Sequence, residues 1–426
     1  MGTIPNVFRR LLAHTALVAG AVGAYVFFQT EYAFTFFYKE QNQLFLLSWE
    51  YVRGYLGHEA WLSSLLGDFL TQFYYYFYAG AAIYGAVILF TGVVTYAAFR
   101  RLGGNRLVAC LAGLVAEGAL TVFNFDPDYR LASALSLTGT VSLLLVWTVF
   151  KNSEQLVRTG SEIVCIAAGW WLFGLGAPCV GKVSGPYGEL EDYLEADCLF
   201  YFGRDRELAE KVEAMKADEV TGMISTYYYM SRARMGVLPQ SVGKVSPVNL
   251  GTLLHLGPKS SAQEYKLLAE LYFLLGDMTM TERAAMIALV SSPDNRNVRM
   301  VKRLAEANLV AGDVRAAEKY LGLLEKTFAY RKWATAQREG RLSGQLLAKR
   351  ELVAKVDRLR ADDNCRDVLT ALLEANPLNR VALDYLLCTD IQVGDLSLLK
   401  EDYERYYLPH YGEAKEKLYR NVLRMR

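Results

Sequence analysis

The chain has 426 residues, 53% of them hydrophobic and 21% charged, with a formal net charge of +1. That balance excludes a disordered acidic or basic chain and gives no electrostatic reason to expect nucleic acid as a partner. The charge is unevenly spread: residues 1–182 hold 11 Lys/Arg and 10 Asp/Glu while the other 244 residues hold 35 of each, so the front reads as lipid-embedded and the back as water-soluble.

Five apolar stretches in residues 1–183 approach the roughly 20 residues a helix needs to cross a bilayer core. They are Leu11–Phe28, Phe77–Phe99, Leu107–Phe125, Leu131–Phe150 and Ile163–Val183. Lipid offers no partner to backbone N–H and C=O groups, so each is expected to be helical. Ala16, Gly20 and Ala24 on the first span, and Ala81 and Gly85 on the second, recur every four positions. That spacing lets helices approach closely. Arg9 and Arg10 precede the first span as in a signal peptide. The length of its apolar run and the aromatic flank Tyr25–Phe28 read instead as an uncleaved anchor.

Between the first two spans, residues 40–76 mix apolar and polar side chains and are expected to form interfacial helices lying flat on the membrane. Tyr74, Tyr75, Tyr76 and Tyr78 begin an aromatic belt. Among residues of the short loops, Arg9, Arg10, Arg100, Arg101, Arg106, Lys151 and Arg158 fall on one side, and Lys39, Arg53 and Arg130 on the other. Basic loops stay in the cytoplasm, so the N-terminus is expected there. Five crossings then carry the remainder of a bacterial inner-membrane protein into the periplasm.

Glu117 stands midway along the third span, in Leu114-Val115-Ala116-Glu117-Gly118. A carboxylate there costs about 3 kcal/mol or more unless it is protonated, paired or turned to a polar interior. It is either an intramembrane polar site or a structural contact. No intramembrane base stands out as its partner, which favours the contact over a part in transport.

Residues 184–426 follow a linker at Gly181–Gly188 and read as helical throughout. Ala269, Tyr272, Gly276, Ala288, Leu289 and Pro293 have the intervals of one tetratricopeptide (TPR) unit. Leu304, Ala305, Gly312, Ala317 and Leu321 give the next, and Gly276 to Gly312 is 36 residues. Each glycine precedes an aspartate, at Gly276-Asp277, Gly312-Asp313 and Gly394-Asp395. A weaker third unit follows Asn376-Pro377 with Ala382 and Tyr385, and Ile224–Leu238 is another helix of the same kind. Such units stack into a curved array whose concave face takes extended peptides or helices. Tyr265, Glu270 and Arg303 are expected to face outward from the first helices of the units and to meet a protein partner. The fold expected is all-α: a transmembrane bundle of about five spans over 1–183, then a TPR-like α-solenoid over 184–426.

Known catalytic and metal signatures are missing. His14, His58, His255 and His410 are scattered, the six cysteines form no CxxC, and there is no P-loop, GxSxG or dinucleotide fingerprint. No metal or cofactor is expected, and a non-enzymatic role is favoured. Cys110 and Cys165 lie inside spans. A Cys365–Cys388 or Cys179–Cys198 disulfide is open in an oxidising compartment.

The outer loops hold Glu31 and Glu40 after the first span, and Asp126, Asp128 and Arg130 in the turn Asp126-Pro127-Asp128-Tyr129-Arg130. This arrangement is similar to the C-type membrane glycosyltransferases, which use a lipid-linked sugar donor. The resemblance implies Glu31 or Glu40 as general base, with Asp126, Asp128 and Arg130 facing the donor phosphate. Those enzymes have more spans, and here no Asp stands directly after span one.

The stretches Glu40-Gln41-Asn42-Gln43-Leu44-Phe45, Gly67-Asp68-Phe69-Leu70-Thr71-Gln72-Phe73-Tyr74, Phe328-Ala329-Tyr330-Arg331-Lys332-Trp333-Ala334 and Leu408-Pro409-His410-Tyr411-Gly412-Glu413-Ala414 carry a second likeness. The chain resembles an uncharacterised family of bacterial multi-span membrane proteins with a TPR-like tail. That resemblance implies architecture and envelope location and no activity. The first functional expectation is an inner-membrane anchor presenting a periplasmic TPR-like domain to a protein partner in an envelope assembly. The alternative is a glycosyltransferase-like enzyme, degenerate or active.

Overall fold

The computed structural model describes residues 6–179, 181, 188–245, 260–353, 364–414 and 416–424. The linker expected at 181–188 falls largely outside them. The described residues are helical with no strand, and they divide into two compact units: 1–191 with 326–329, and 192–325 with 330–426.

The first unit begins with α1 (Asn6–Glu31), α2 (Ala33–Gln41), α3 (Trp49–Tyr55) and α4 (Trp61–Thr71). It continues through α5 (Ala79–Arg101), α6 (Arg106–Phe123), α7 (Leu131–Phe150) and α8 (Gln155–Phe173). Among the described residues, five helices are long and apolar enough to cross a membrane, over Leu11–Glu31, Ala79–Arg101, Arg106–Phe123, Leu131–Phe150 and Gln155–Gly176. This pattern marks the protein as membrane-associated. The fifth starts eight residues before the stretch expected from hydropathy and ends at Gly176. Gly174, Leu175 and Gly176 all take positive φ there and break the helix.

The apolar faces are divided by position on each helix. Leu107, Leu111 and Val115 line an exposed stripe of α6, while Ala109, Gly113, Glu117 and Leu120 form its buried stripe. Helix α5 is central and packs against α1, α6 and α7. Glycine permits the approaches. A Cβ on Gly113 would come within 2.8 Å of the Gly92 carbonyl oxygen, and one on Gly85 within 3.2 Å of Tyr25. Where α1 ends and α5 begins, Phe28, Phe36 and Tyr84 form an aromatic cluster with edge-on contacts at 5.6–5.8 Å.

Helices do occupy the segment expected to be interfacial, but two are built into the bundle. Helix α2 buries Phe36, Phe37 and Tyr38. Helix α4 lies against α7 and α8, with Gly67 directly on Ala132. Only α3, of the three, has no buried residue.

The second unit takes all but the first turn of α9 (Gly188–Tyr201), then α10 (Asp205–Ala214), α11 (Gly222–Arg234) and α12 (Ala262–Leu275). Next come α13 (Met278–Ser291), α14 (Val298–Ala311), α15 (Val314–Leu324), α16 (Arg331–Arg338) and α17 (Gly344–Leu352). The last are α18 (Cys365–Ala375), α19 (Arg380–Val393), α20 (Leu396–Asp402), α21 (Leu408–Tyr411) and α22 (Lys417–Leu423).

The Gly-Asp pairs explain the hairpins. Gly276 and Gly312 end α12 and α14 at φ +89°. Asp277 and Asp313 then cap α13 and α15, accepting from the backbone N–H of Met280 at 3.0 Å and Ala316 at 2.9 Å. Ala269, Tyr272, Ala288, Leu304, Ala305, Ala317 and Leu321 are buried, and α13 packs against both α12 and α14.

The third hairpin, α19–α20, has the same Gly394-Asp395 junction but does not prolong this stack. Helix α19 packs back on α11 and α12, and the Asn379 side chain donates to the Leu275 carbonyl oxygen at 2.7 Å. Cys198, Cys365 and Cys388 are free thiols, which corrects the Cys365–Cys388 disulfide. The Cys179 side chain lies outside the described residues.

Candidate functional site

One group of polar side chains in the first unit lies where α6 ends and α7 begins, beside α2. Helix α2 starts there with unsatisfied backbone N–H groups, as every helix does. Glu191 satisfies them: its Oε1 accepts from the N–H of Phe34 at 2.7 Å and of Thr35 at 3.3 Å, and its Oε2 from the Thr35 hydroxyl at 2.6 Å. One turn on, Lys39 donates to Asn124 Oδ1 at 2.7 Å, at the end of α6. Burial brings the Lys39 ammonium down to about 7, against the attraction of Asp126, Asp128 and Glu191. Asp126 Oδ1 accepts from the Asp128 N–H at 2.9 Å and so holds the turn before α7.

Arg130 follows a different partner. One of its terminal nitrogens donates to both Asp68 oxygens, at 2.8 and 3.0 Å. The Tyr55 hydroxyl donates to the same carboxylate at 2.7 Å. The four acids and one base suggested by the glycosyltransferase likeness thus take up different surroundings. Asp126 and Asp128 face Lys39, Arg130 engages Asp68, Glu40 is buried on α2, and Glu31 is exposed at the end of α1. Lys39, Asp68, Asn124 and Glu191 were not singled out by sequence reasoning. Apart from Tyr55, 13 residues from Asp68, the partners named above lie 62 to 157 residues away, and no local spacing announces them.

Glu117 is where the sequence placed it, on the buried stripe of α6, and is 3% exposed. Its carboxyl occupies the space that two glycines leave. A Cβ on Gly20 of α1 would stand 2.6 Å from Oε2, and one on Gly92 of α5 would overlap Oε1. Neither oxygen has a hydrogen-bond partner among the described residues.

In the second unit Tyr265 is half-buried, and the expectation that Glu270 and Arg303 face outward is corrected. Glu270 is 2% exposed. It accepts from Arg299 Nε at 3.0 Å and pairs with Arg303, which reaches Glu306 at 2.7 Å. Arg299 also donates to Asp197 on α9 at 2.7 Å, and Lys266 to the same carboxylate at 2.8 Å. Burial opposes the charge of Asp197, but Arg299 and Lys266 prevail and hold it at about 2. These residues lie on neighbouring faces of α9, α12 and α14 and neutralise one another inside the unit. Periodicity placed the helices correctly but could not show that this polar face meets another helix.

A family model, that of a family of unknown function (DUF6057), matches residues 7–184 and again residues 179–423. No curated protein and no solved structure matches the chain.

Proposed function

The chain belongs to the DUF6057 family, whose function is unknown, and from that premise we propose that it is a membrane anchor for a partner-binding helical array. In this reading the first unit sits in a bacterial inner membrane with its N-terminus in the cytoplasm. The second unit is a TPR-like domain in the periplasm that holds a protein of an envelope assembly. The observation that carries the reading is the succession of hairpins α12–α13 and α14–α15, each built on a Gly-Asp junction, in one chain with five apolar helices. Stacked hairpins of this kind present extended surfaces for peptides and helices. The ion network of Asp197, Lys266, Glu270, Arg299 and Arg303 supports it by tying three of the helices together.

Crosslinking in cells followed by capture of the tagged chain tests this. The expected result is a protein partner that is lost on deleting residues 200–426 while the remainder still reaches the membrane. Retention of the same partner by the truncated chain rejects the array as the binding part. The glycosyltransferase-like reading keeps the support of its outer-loop acids but loses a free Arg130 for a donor phosphate, because Asp68 holds it. Bound polyprenyl phosphate near Glu31 and Asp126 in a lipid-embedded structure would favour that reading instead.

A further inference from the structure

We infer that Glu117 is an intramembrane proton-binding site: a neutral carboxylic acid that exchanges its proton with the end of the bundle marked by Asn124 and Lys39. The inference does not depend on the proposed anchoring role.

Three observations carry it. First, the carboxyl is mid-span and buried, and it is aimed into a cradle formed by Gly20 and Gly92 with no hydrogen-bond partner among the described residues. Second, the groups on the helices packed around it are engaged elsewhere. On α1 and α5, His14 and Tyr96 stack edge-on at 5.2 Å, and the Tyr84 hydroxyl donates to the Leu120 carbonyl oxygen at 2.8 Å. Tyr25 on α1 lies against Gly85. On α6 itself the Cys110 thiol faces the Ala13 carbonyl oxygen at 3.9 Å. The charged residues Glu31, Arg100, Arg101 and Arg106 sit at helix ends. Among the described residues no cation is thus placed to balance a carboxylate. Among the described residues no three His, Cys, Asp or Glu side chains gather to hold a metal. An unpaired carboxylate in hydrocarbon costs about 3 kcal/mol or more, so the cradle suits the neutral acid.

Third, the buried stripe of α6 leads outward from this carboxyl. Glu117, Leu120 and Asn124 follow one another along it, and Glu117 to Asn124 is about 10 Å at the rise of an α-helix. Asn124 Nδ2 has no partner among the described residues, while its Oδ1 receives Lys39. Lys39, drawn to about 7 by burial, titrates at that end, with Asp126, Asp128 and Glu191 facing it.

The test uses the full chain in lipid nanodiscs and the hydrophobic reagent dicyclohexylcarbodiimide. The acid gives its proton to a carbodiimide nitrogen while a carboxyl oxygen bonds the central carbon. The O-acylisourea so formed rearranges to a stable N-acylurea, read by mass spectrometry of the peptide. The expected result is labelling of Glu117 that falls about tenfold per pH unit above its midpoint, as one titrating carboxyl requires. Glu117→Gln should lose the label and keep the melting temperature. Asn124→Leu should slow the change in labelling after a pH jump. Labelling of the unfolded chain alone, or equal labelling at every pH, overturns the site. An unchanged rate in Asn124→Leu overturns the exit.

Discussion

Two buried aspartates of the second unit have opposite pH signatures. Asp390 and Asp402 share one guanidinium, with Arg366 Nη1 at 3.1 and 2.6 Å. Burial, together with the neighbouring Asp402, raises the Asp390 carboxyl to about 7. The folded state therefore holds this proton more tightly than the unfolded chain, whose aspartates titrate near 4. The contribution of Asp390 is complete below about pH 4 and is lost as pH rises through about 7. Asp197, held at about 2, behaves in the reverse sense: its contribution is present above about pH 4 and is lost as pH falls towards 2. Asp390→Asn should accordingly flatten the decline in melting temperature between pH 5 and pH 8. The stability recovered at the upper end should be on the order of 1–3 kcal/mol. A parallel decline in the variant would remove Asp390 as its source. A second residue-scale prediction concerns Gly92. Its Cβ would overlap the Glu117 carboxyl, so Gly92→Ala should cost about 1–3 kcal/mol through forced displacement. In Glu117→Ala the space is free and most of that cost should vanish in a double-mutant cycle of melting temperatures. Additive losses would show that the two residues do not meet. Glu117 was legible in the sequence because a carboxylate interrupts an apolar run. Asp68, Lys39 and Glu191 were not, because each is an ordinary charged residue until a distant helix supplies its partner.

At the scale of elements, the hairpins were legible for a physical reason that two residues carry. Gly276 takes φ +89°, where a side chain is strained, and Asp277 presents an oxygen to the first free N–H groups of α13. Gly276→Ala should therefore destabilise by about 1 kcal/mol or more, and Asp277→Ala by about 1 kcal/mol. Adjacent junction residues can couple, so the informative comparison is between sites. Substituting Gly394 or Asp395 in the third hairpin should lower the melting temperature comparably, since it has the same αL glycine and the same aspartate cap. No effect at either junction would mean that the glycine and cap do not limit hairpin stability. The turn of the third hairpin could be read locally, but its packing could not. Asn379 reaches Leu275 across 104 residues and seats α19 on α11 and α12, and nothing in the spacing of Ala382 and Tyr385 specifies that return. The fifth span shows the same limit in another form. Its polar first turns, Gln155 to Glu162, hid the helix start from a hydropathy reading, and the left-handed residues 174–176 set its end.

For the whole molecule, the change in charge density near residue 183 falls close to residue 191, where the first compact unit gives way to the second, although residues 326–329 also belong to the first. Which side of a membrane the second unit occupies is decided by a smaller set of residues. In the structure Arg100 and Arg101 end α5 and Arg106 begins α6, while Lys151 follows α7 and Arg158 lies in the first turns of α8. The opposite loops hold Lys39, Arg53 and Arg130; Lys39 donates to Asn124 and Arg130 to Asp68, while Arg53 is exposed. Five basic residues against three is the imbalance that favours the proposed orientation. A reporter enzyme that is active only outside the cytoplasm, fused after Arg426, should be active, and the same reporter placed in the loop at Gly103 should be silent. Changing Arg100, Arg101 and Arg106 together to glutamine should raise activity at Gly103 and lower it at the C-terminus. The Arg130→Gln chain, by contrast, should keep the original pattern while losing stability, because Asp68 loses its guanidinium partner. A silent C-terminal fusion in an otherwise intact, membrane-inserted chain would reverse the orientation and place the helical array in the cytosol.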